Sequence, residues 1–335
     1  MRAIQVAAFG GPEVLVPVTL AGPPVPARPG EAVIAVSVAD VLFLDTMIRS
    51  GRFGARFPVT PPYVPGNGVA GEVIAAGDGV DSSWIGRGVV AHTGPDGGSG
   101  GYAERVAVPA GRLVPVPDDM DPRVAAAVMH DGATALGLMT RIGARPGEWV
   151  LVVGAAGGMG LLLVQLARAA GARVIGAART SGTSRADEKL TAIVKAGAEI
   201  VVDYSSPEWI SQVAEVTGGT GPDVVFDGVG GQLGRAAFAI TAAGGRFSQH
   251  GAPGGGFAGI TAEMARPRGV QVKGIEQAQY APGQREELIG RALSEAAAGH
   301  IDPVIGQVFA LEKAARAHAA IADRTVIGKT LLTVG

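Results

Sequence analysis

Cysteine is absent from all 335 residues. That excludes disulfides, thiolate nucleophiles and any zinc site built on cysteine. Histidine is scarce as well. The five, at 92, 130, 250, 300 and 318, are far apart and none falls in an H-E-x-x-H spacing, so no metal site is expected. Aromatic residues make up only 5% of the chain, which leaves Ala, Val, Leu and Ile to build the core. No apolar run approaches the roughly 20 residues of a membrane span. Neither sign of charge dominates, with 28 Lys and Arg against 30 Asp and Glu, and no basic block is present to meet a nucleic-acid backbone. The opening MRAIQVAAFGG alternates like a strand and has no secretory-signal core. The expectation is a cytoplasmic protein with neither nucleic acid nor membrane as partner.

Glycine is abundant, at 53 residues, about twice the usual share of roughly 7%. Its densest cluster carries the most information. In WVLVVGAAGGMG (149–160) an apolar run meets four glycines, and the helix-like LLLVQLARAAGA follows. Strand, glycine turn and helix form the context of a dinucleotide fingerprint. Gly157 lets backbone approach a pyrophosphate, Gly160 lets the helix pack on the strand, and the helix N-terminus offers free amides to phosphate. The candidate contacts are Ala155, Ala156, Gly157, Gly158, Met159 and Gly160, with Ala155 standing where the motif has its first glycine position.

Further β/α units follow. RVIGA (173–177), EIVVDY (199–204), DVVFD (223–227), GRFSQ (245–249) and VQVKGI (270–275) read as strands, separated by helices near 187–196, 207–217 and 232–242. Continuous Val/Ile runs alternating with helices indicate a parallel sheet covered on both faces. The fold class is therefore α/β with a six-stranded, doubly wound Rossmann sheet. Its second strand ends Ala177, Ala178, Arg179, Thr180, with no acid to take a ribose 2′-hydroxyl. Arg179 lies where a 2′-phosphate would sit, and a guanidinium grips phosphate bidentately. The expected cofactor is NADPH. The first 120 residues differ: short alternating runs between Gly, Pro and Asp read as an antiparallel β body with one short helix near 43–49. Helices near 284–298 and 312–323 and a strand at 330–334 close the chain.

VLFLDTMIRSGRF (41–53), PYVPGNGVAGEV (62–73), GGYAERVAVPAGRLVPVPD (100–118), LVVGAAGGMG, DVVFDGVGG (223–231) and GKTLLTV (328–334) together resemble the medium-chain dehydrogenase/reductase superfamily, in its zinc-independent quinone oxidoreductase and enoyl reductase branch. The resemblance implies a GroES-like, partly open antiparallel β-barrel domain at 1–122 with 275–335, and a Rossmann NADPH domain at 123–274. It also implies a homodimer with VQVKGI at the contact. Where zinc-dependent relatives carry His-Glu, this chain has Asn67-Gly68, so a metal-free site is expected. Matched to the family's motifs, Thr134 falls near the nicotinamide. Lys189, Tyr204 and Arg324 fall toward the phosphate and adenosine end. Gly228, Val229, Gly230 and Gly251 face the cofactor at the ends of the fourth and fifth strands.

Four polar residues are candidates for catalysis. Asp45 belongs to the early helix motif and could shape a pocket or cap the helix. Tyr63 could replace the tyrosine that relatives carry where Phe53 stands; relatives also carry Asn at Leu42. His92 follows an apolar strand, and His130 with Asp131 opens the helix that carries Thr134. An imidazole titrates near neutral pH and can donate a proton after hydride transfer. His250 is a neighbour of the cofactor loop, and His300 and His318 are surface or helix-packing residues. Three readings stay open. The leading one is NADPH-dependent reduction of an activated C=C bond in an enone, enal or enoyl thioester, a small apolar or conjugated carbonyl substrate. The others are quinone reduction and NADPH binding without catalysis, as a sensor or scaffold.

Overall fold

The computed structural model describes the chain except residues 24, 26, 53–57, 95–99, 183 and 276–282. It divides into two compact units, Met1–His130 with Gly283–Gly335, and Asp131–Pro282. In chain order the first unit holds β1 (Arg2–Val6), β2 (Leu15–Thr19), β3 (Glu31–Val41), α1 (Phe43–Arg49), β4 (Gly68–Ala76), β5 (Gly88–His92), β6 (Arg105–Pro109) and β7 (Leu113–Pro115), and runs into α2 (Pro122–Ile142). The second alternates strand and helix: β8 (Trp149–Val153), α3 (Gly158–Ala169), β9 (Arg173–Ala178), α4 (Ala186–Ala196), β10 (Ile200–Asp203), α5 (Trp209–Val216), β11 (Val224–Asp227), α6 (Gly231–Ala239), β12 (Arg246–Gln249), α7 (Ala262–Ala265) and β13 (Gln271–Gly274). The chain then returns to the first unit with α8 (Gln284–Ala297), β14 (Ile305–Ala310), α9 (Ala314–Ala322) and β15 (Lys329–Thr333).

The second unit is a six-stranded sheet in the order β10-β9-β8-β11-β12-β13, parallel at every pairing. Strand order reverses between β8 and β11, which makes the loop after β8 the topological switch point where α/β sheets bind ligands. β8 is buried at all five positions, as a strand covered on both faces must be. The core gathers around Leu151, Ile175, Val225 and Phe247, with the Phe247 ring edge-to-face on Phe238 at 5.4 Å.

The first unit is built on a seven-stranded sheet, β14-β15-β3-β4-β5-β7, with β6 also on β3. Every pairing within the first 120 residues is antiparallel, as expected; β15 joins β3 antiparallel, and β14 runs parallel to β15. Breaks in register at Val33/Ile34 and Val36/Val38 bend the long β3, letting it pair with β15, β4 and β6 in turn. Gly71 lies where a Cβ would come within 2.1 Å of the Ala35 carbonyl, so β3 and β4 close only over a glycine.

One correction concerns α2. It does not open at His130 but at Pro122, where Pro fits the first helical position and the Asp121 carboxylate accepts the Arg123 amide at 2.8 Å. His130 therefore sits in mid-helix, as the last residue of the first unit.

Phe247 is fully buried. Phe247→Ala is expected to lower unfolding stability by about 3–5 kcal/mol through lost transfer energy and a retained cavity. Urea unfolding followed by circular dichroism measures it.

Candidate functional site

In the second unit the turn after β8 is held from behind. The amides of Gly154 and Ala155 both donate to the Ala177 carbonyl, at 2.9 and 3.0 Å. Gly157 caps α3, and the amides of Gly158, Met159 and Gly160 form its first turn, where no intrahelical acceptor exists. A Cβ on Gly160 would lie 2.3 Å from the Gly154 carbonyl, so helix and turn approach this closely only with glycine there. The facing loops are equally tight. A Cβ on Gly251 would lie 1.9 Å from Gly228, and one on Gly230 would lie 2.4 Å from the Gly251 carbonyl. The buried Asp227 carboxylate shapes that wall by accepting the Val229 and Gly230 amides at 3.0 and 2.8 Å; burial pushes its pKa up to about 6 against those two bonds. His250 is buried beside Gly228, bonded through Nδ1 to the Ser248 hydroxyl at 3.0 Å, and burial lowers its pKa to about 4.

The loop after β9 carries Arg179 and folds onto an acid. Asp203, at the end of β10 beside Ala178, is an acid near the expected ribose position, but the loop itself occupies it. It accepts the Thr180 and Ser181 amides at 3.2 and 2.8 Å, and the Ser181 and Ser205 hydroxyls. Arg179 is exposed at the tip. Lys189 is buried and donates to the Arg179 carbonyl at 3.3 Å, so it fixes the backbone that presents the arginine. Tyr204 follows Asp203, half-buried, its amide on the Ala178 carbonyl. Thr134 lies on α2 within this unit, whereas Arg324 belongs to the first, two residues beyond α9, with a left-handed φ of 56°. A concavity of about 530 Å³ along β12 and β13, lined by Gln249, Ile260, Arg266 and Val272 among others, shares no residue with these candidates.

The first unit holds a cluster of buried polar side chains. Asp40 on β3 is 0% exposed, and Lys329 on β15 is 4% exposed. The ammonium reaches Asp40 Oδ2 at 3.1 Å. Asp40 pairs with Leu331, so Lys329 is its diagonal neighbour across the sheet. His130 donates from α2 to the same oxygen through Nδ1 at 2.8 Å. Burial alone would raise the Asp40 pKa; Lys329, then His130, outweigh it and hold the carboxyl below its ordinary range. The His92 ring stands edge-on to His130 with centroids 4.9 Å apart. Burial, then the neighbouring His130 and the cations of Arg285 and Arg112, push His92 down to about 2. A Cβ at Gly68 would lie 2.5 Å from His130 Cε1, so the glycine beside Asn67 makes room for the ring.

Asp45 is in a second network. Fully buried on α1, it accepts the Leu42 amide at 2.8 Å and the Asn67 side-chain amide at 2.5 Å. Tyr102 donates its hydroxyl to Asp45 at 3.3 Å and lies 3.0 Å from His318 Nε2, and Arg49 meets His318 Nδ1 at 3.2 Å. Arg49 donating to Nδ1 and Nε2–H donating to Tyr102 is the one neutral tautomer that satisfies every partner. Burial pushes Asp45 up to about 6, with the Asp40 charge adding to the effect. His318 is thus no surface residue but the centre of a buried relay. Tyr63 is half-buried with its hydroxyl unpartnered among the described residues, and burial, then Asp45, raise it to about 12. His300 is exposed against Glu295. The Phe53 position lies outside the described residues. Among the described residues no group of three or more His, Asp or Glu is placed to hold a metal ion.

Sequence reasoning missed Asp40, Lys329, Tyr102 and His318. The signal for the first two was available: a lone acid in VSVADV and a lone base heading KTLLT are charges inside strands that are otherwise apolar, and such charges need a partner.

Two family models match the chain: Alcohol dehydrogenase GroES-like domain over residues 28–118 and Zinc-binding dehydrogenase over residues 158–292. A quinone oxidoreductase of Pseudomonas aeruginosa is 34% identical over 337 residues, covering 99% of this chain and 99% of that protein. The structure of Escherichia coli quinone oxidoreductase complexed with NADPH superposes with a TM-score of 0.87 at 28% identity, over 99% of this chain and 100% of the other. A 2-haloacrylate reductase of a Burkholderia species is 32% identical over 205 residues, 60% of this chain and 59% of its own length.

Burial, then Arg49, lower His318 from 6.5 to about 3. A histidine with its folded pKa below its unfolded value contributes stability that is intact above the unfolded pKa and lost as pH falls toward the folded one. Between those limits this group should steepen the loss by up to about 1.4 kcal/mol per pH unit. His318→Gln is expected to remove that part of the slope in urea titrations at about pH 7, 6 and 5. Equal slopes in the two proteins would refute the buried neutral ring.

Proposed function

The chain belongs to the medium-chain dehydrogenase/reductase superfamily, in its zinc-independent quinone oxidoreductase branch, and on that footing we propose that it is an NADPH-dependent reductase whose acceptor is a quinone. The observation that carries the cofactor is the turn after β8. Its first-turn amides are free of intrahelical partners, and a Cβ at Gly160, Gly230 or Gly251 would close its walls. These residues fit a pyrophosphate. Arg179, presented by Lys189 and by the Asp203-closed loop, supplies the guanidinium for a 2′-phosphate, and Asp203 is already engaged, so no acid competes for a ribose hydroxyl. Bound NADPH supplies the hydride. The chain's own residues bind and orient it: Ala155, Ala156, Gly157, Gly158, Met159 and Gly160 at the pyrophosphate, Gly228, Val229, Gly230 and Gly251 along the facing loops, and Thr134, Tyr204 and Arg324 as further contacts.

The quinone reading rests on the full-length relatives, which carry that name across 99% of both chains in the first case. Reduction of an activated C=C bond is the second reading, favoured by the likeness to a 2-haloacrylate reductase. Both need a hydride donor and a proton donor, and neither needs a metal. A homodimer is the proposed assembly.

Steady-state oxidation of NADPH with a para-quinone and with an unsaturated ketone tests the choice. Turnover is expected with the quinone; turnover confined to the ketone would transfer the assignment to C=C reduction. Arg179→Ala is expected to raise the KM for NADPH about tenfold to a hundredfold by removing charge-assisted bonds to phosphate, while the KM for NADH stays unchanged. A variant that weakened both cofactors equally would remove Arg179 from this role.

A further inference from the structure

We propose that Asp203 is a positioning residue for the choice of NADPH over NADH: it clamps the loop after β9 so that Arg179 is held ready for the 2′-phosphate. The inference deepens the function proposed above and rests on its cofactor. Every residue it uses belongs to the Asp131–Pro282 unit.

The first support is an acid standing where a phosphate site should exclude one. Asp203 ends β10 and pairs with Ala178, the last residue of β9. A carboxylate near the end of that strand ordinarily binds a ribose 2′-hydroxyl and repels a phosphate. Here five donors of the protein itself converge on its two oxygens. Oδ1 accepts the Thr180 amide at 3.2 Å, the Ser205 amide at 2.9 Å and the Ser205 hydroxyl. Oδ2 accepts the Ser181 amide at 2.8 Å and the Ser181 hydroxyl. A carboxylate offers about four lone-pair sites, so none is left for a ribose hydroxyl. Burial alone would raise the Asp203 pKa; the Ser181 and Ser205 hydroxyls, then their amides, outweigh it and hold the group below its ordinary range. Asp203 is therefore ionised at neutral pH, and its bonds to the loop are charge-assisted.

The second support is the backbone on either side of Arg179. The Ala178 carbonyl before it accepts the Tyr204 amide at 3.1 Å. Its own carbonyl accepts the Lys189 ammonium at 3.3 Å. The next two amides, of Thr180 and Ser181, are the ones Asp203 holds. The Arg179 side chain is exposed, so a guanidinium in water is carried on a fixed peptide. The other arginine of this loop, Arg185, is paired with Glu188 at 2.6 Å. A side chain on an ordered backbone loses less freedom on gripping a ligand than one on a loose loop. Asp203 thus strengthens phosphate binding without touching phosphate.

The charge and the clamp predict opposite signs. A negative charge beside a phosphate weakens its binding, so removing the charge alone would tighten NADPH. Opening the clamp would weaken it. In Asp203→Asn the side-chain nitrogen must face either the Ser181 amide or the amides of Thr180 and Ser205, and there a donor meets a donor. Half of the clamp is lost, and that loss is the larger effect.

Binding titrations of the full-length protein with NADPH and with NADH, followed by nicotinamide fluorescence, test the clamp. Asp203→Asn is expected to raise the Kd for NADPH about tenfold and to leave the Kd for NADH within about twofold. Ser181→Ala, at an exposed position, keeps the carboxylate and one amide bond and is expected to raise the Kd for NADPH about threefold. With Arg179→Ala already in place, Asp203→Asn is expected to add less than about twofold, because both losses act through one guanidinium. In the ligand-free protein the Thr180 and Ser181 amides are expected to exchange hydrogen slowly, and at least about tenfold faster in Asp203→Asn. Tighter NADPH binding by Asp203→Asn, equal weakening of both cofactors, additive losses with Arg179→Ala, or unprotected Thr180 and Ser181 amides in the unaltered protein would overturn the clamp. An unaltered protein that prefers NADPH but oxidises it with neither a para-quinone nor an unsaturated ketone would overturn the proposed reductase and leave the clamp standing. Equal affinity of the unaltered protein for NADPH and NADH would overturn the clamp and the cofactor assignment together.

Discussion

The first unit depends on one buried charge. Asp40 has no exposure to water, and a carboxylate in that position is tolerated only with a cation and hydrogen-bond donors around it. Its partners come from distant parts of the chain: Lys329 from the last strand and His130 from the helix that leads out of the unit. The ion pair therefore does more than neutralise. It requires β15 to take its register on β3, with Leu331 opposite Asp40, because a slip of one residue would turn the ammonium to the other face and leave both charges buried and alone. Removing one member of such a pair costs about 3–5 kcal/mol, whereas replacing the set with apolar residues is often neutral.

The second unit obeys a different constraint, the distance at which backbone can approach backbone. Its turns are defined by what is missing at Gly160, Gly230 and Gly251, where any side chain would collide with a carbonyl or a neighbouring loop. Asp227 then accepts the Val229 and Gly230 amides on Oδ1, and Asp203 accepts the Thr180 and Ser181 amides in the loop after β9. The walls are rigid before any ligand arrives, which reduces the ordering cost of binding.

Most of this second unit was legible in the sequence because its signals are local. Apolar runs of four to six residues, spaced by helices, appear at β8 to β12 within a residue or two of their expected limits, and the glycine turn stands beside them in the chain. The first unit was legible as β structure but not as a site. Asp40 and Lys329 are 289 positions apart in sequence, and only the β3–β15 register makes them neighbours. Tyr102 and His318 meet for the same reason, through α9 packing on the sheet's core. His130 was expected at a helix start because the signal was sought beside Thr134, while the true start lies at Pro122 and its cap at Asp121. Local chemistry is visible one element at a time; pairings between elements far apart in the chain are not.

The polar residues singled out from sequence separate by how completely they are satisfied. Asp45 is bonded to the Leu42 amide, Asn67 and Tyr102; it caps a helix and anchors a network, and its hydrogen-bonding capacity is largely spent. Tyr63, His92 and His130 each keep a buried polar atom without a partner among the described residues. An unsatisfied buried donor or acceptor costs about 1–3 kcal/mol, and folded proteins carry few of them. Two of these atoms belong to rings that stand 4.9 Å apart. Local rules fail where function needs them to fail. A polar atom brought beside these rings would recover the missing hydrogen bonds.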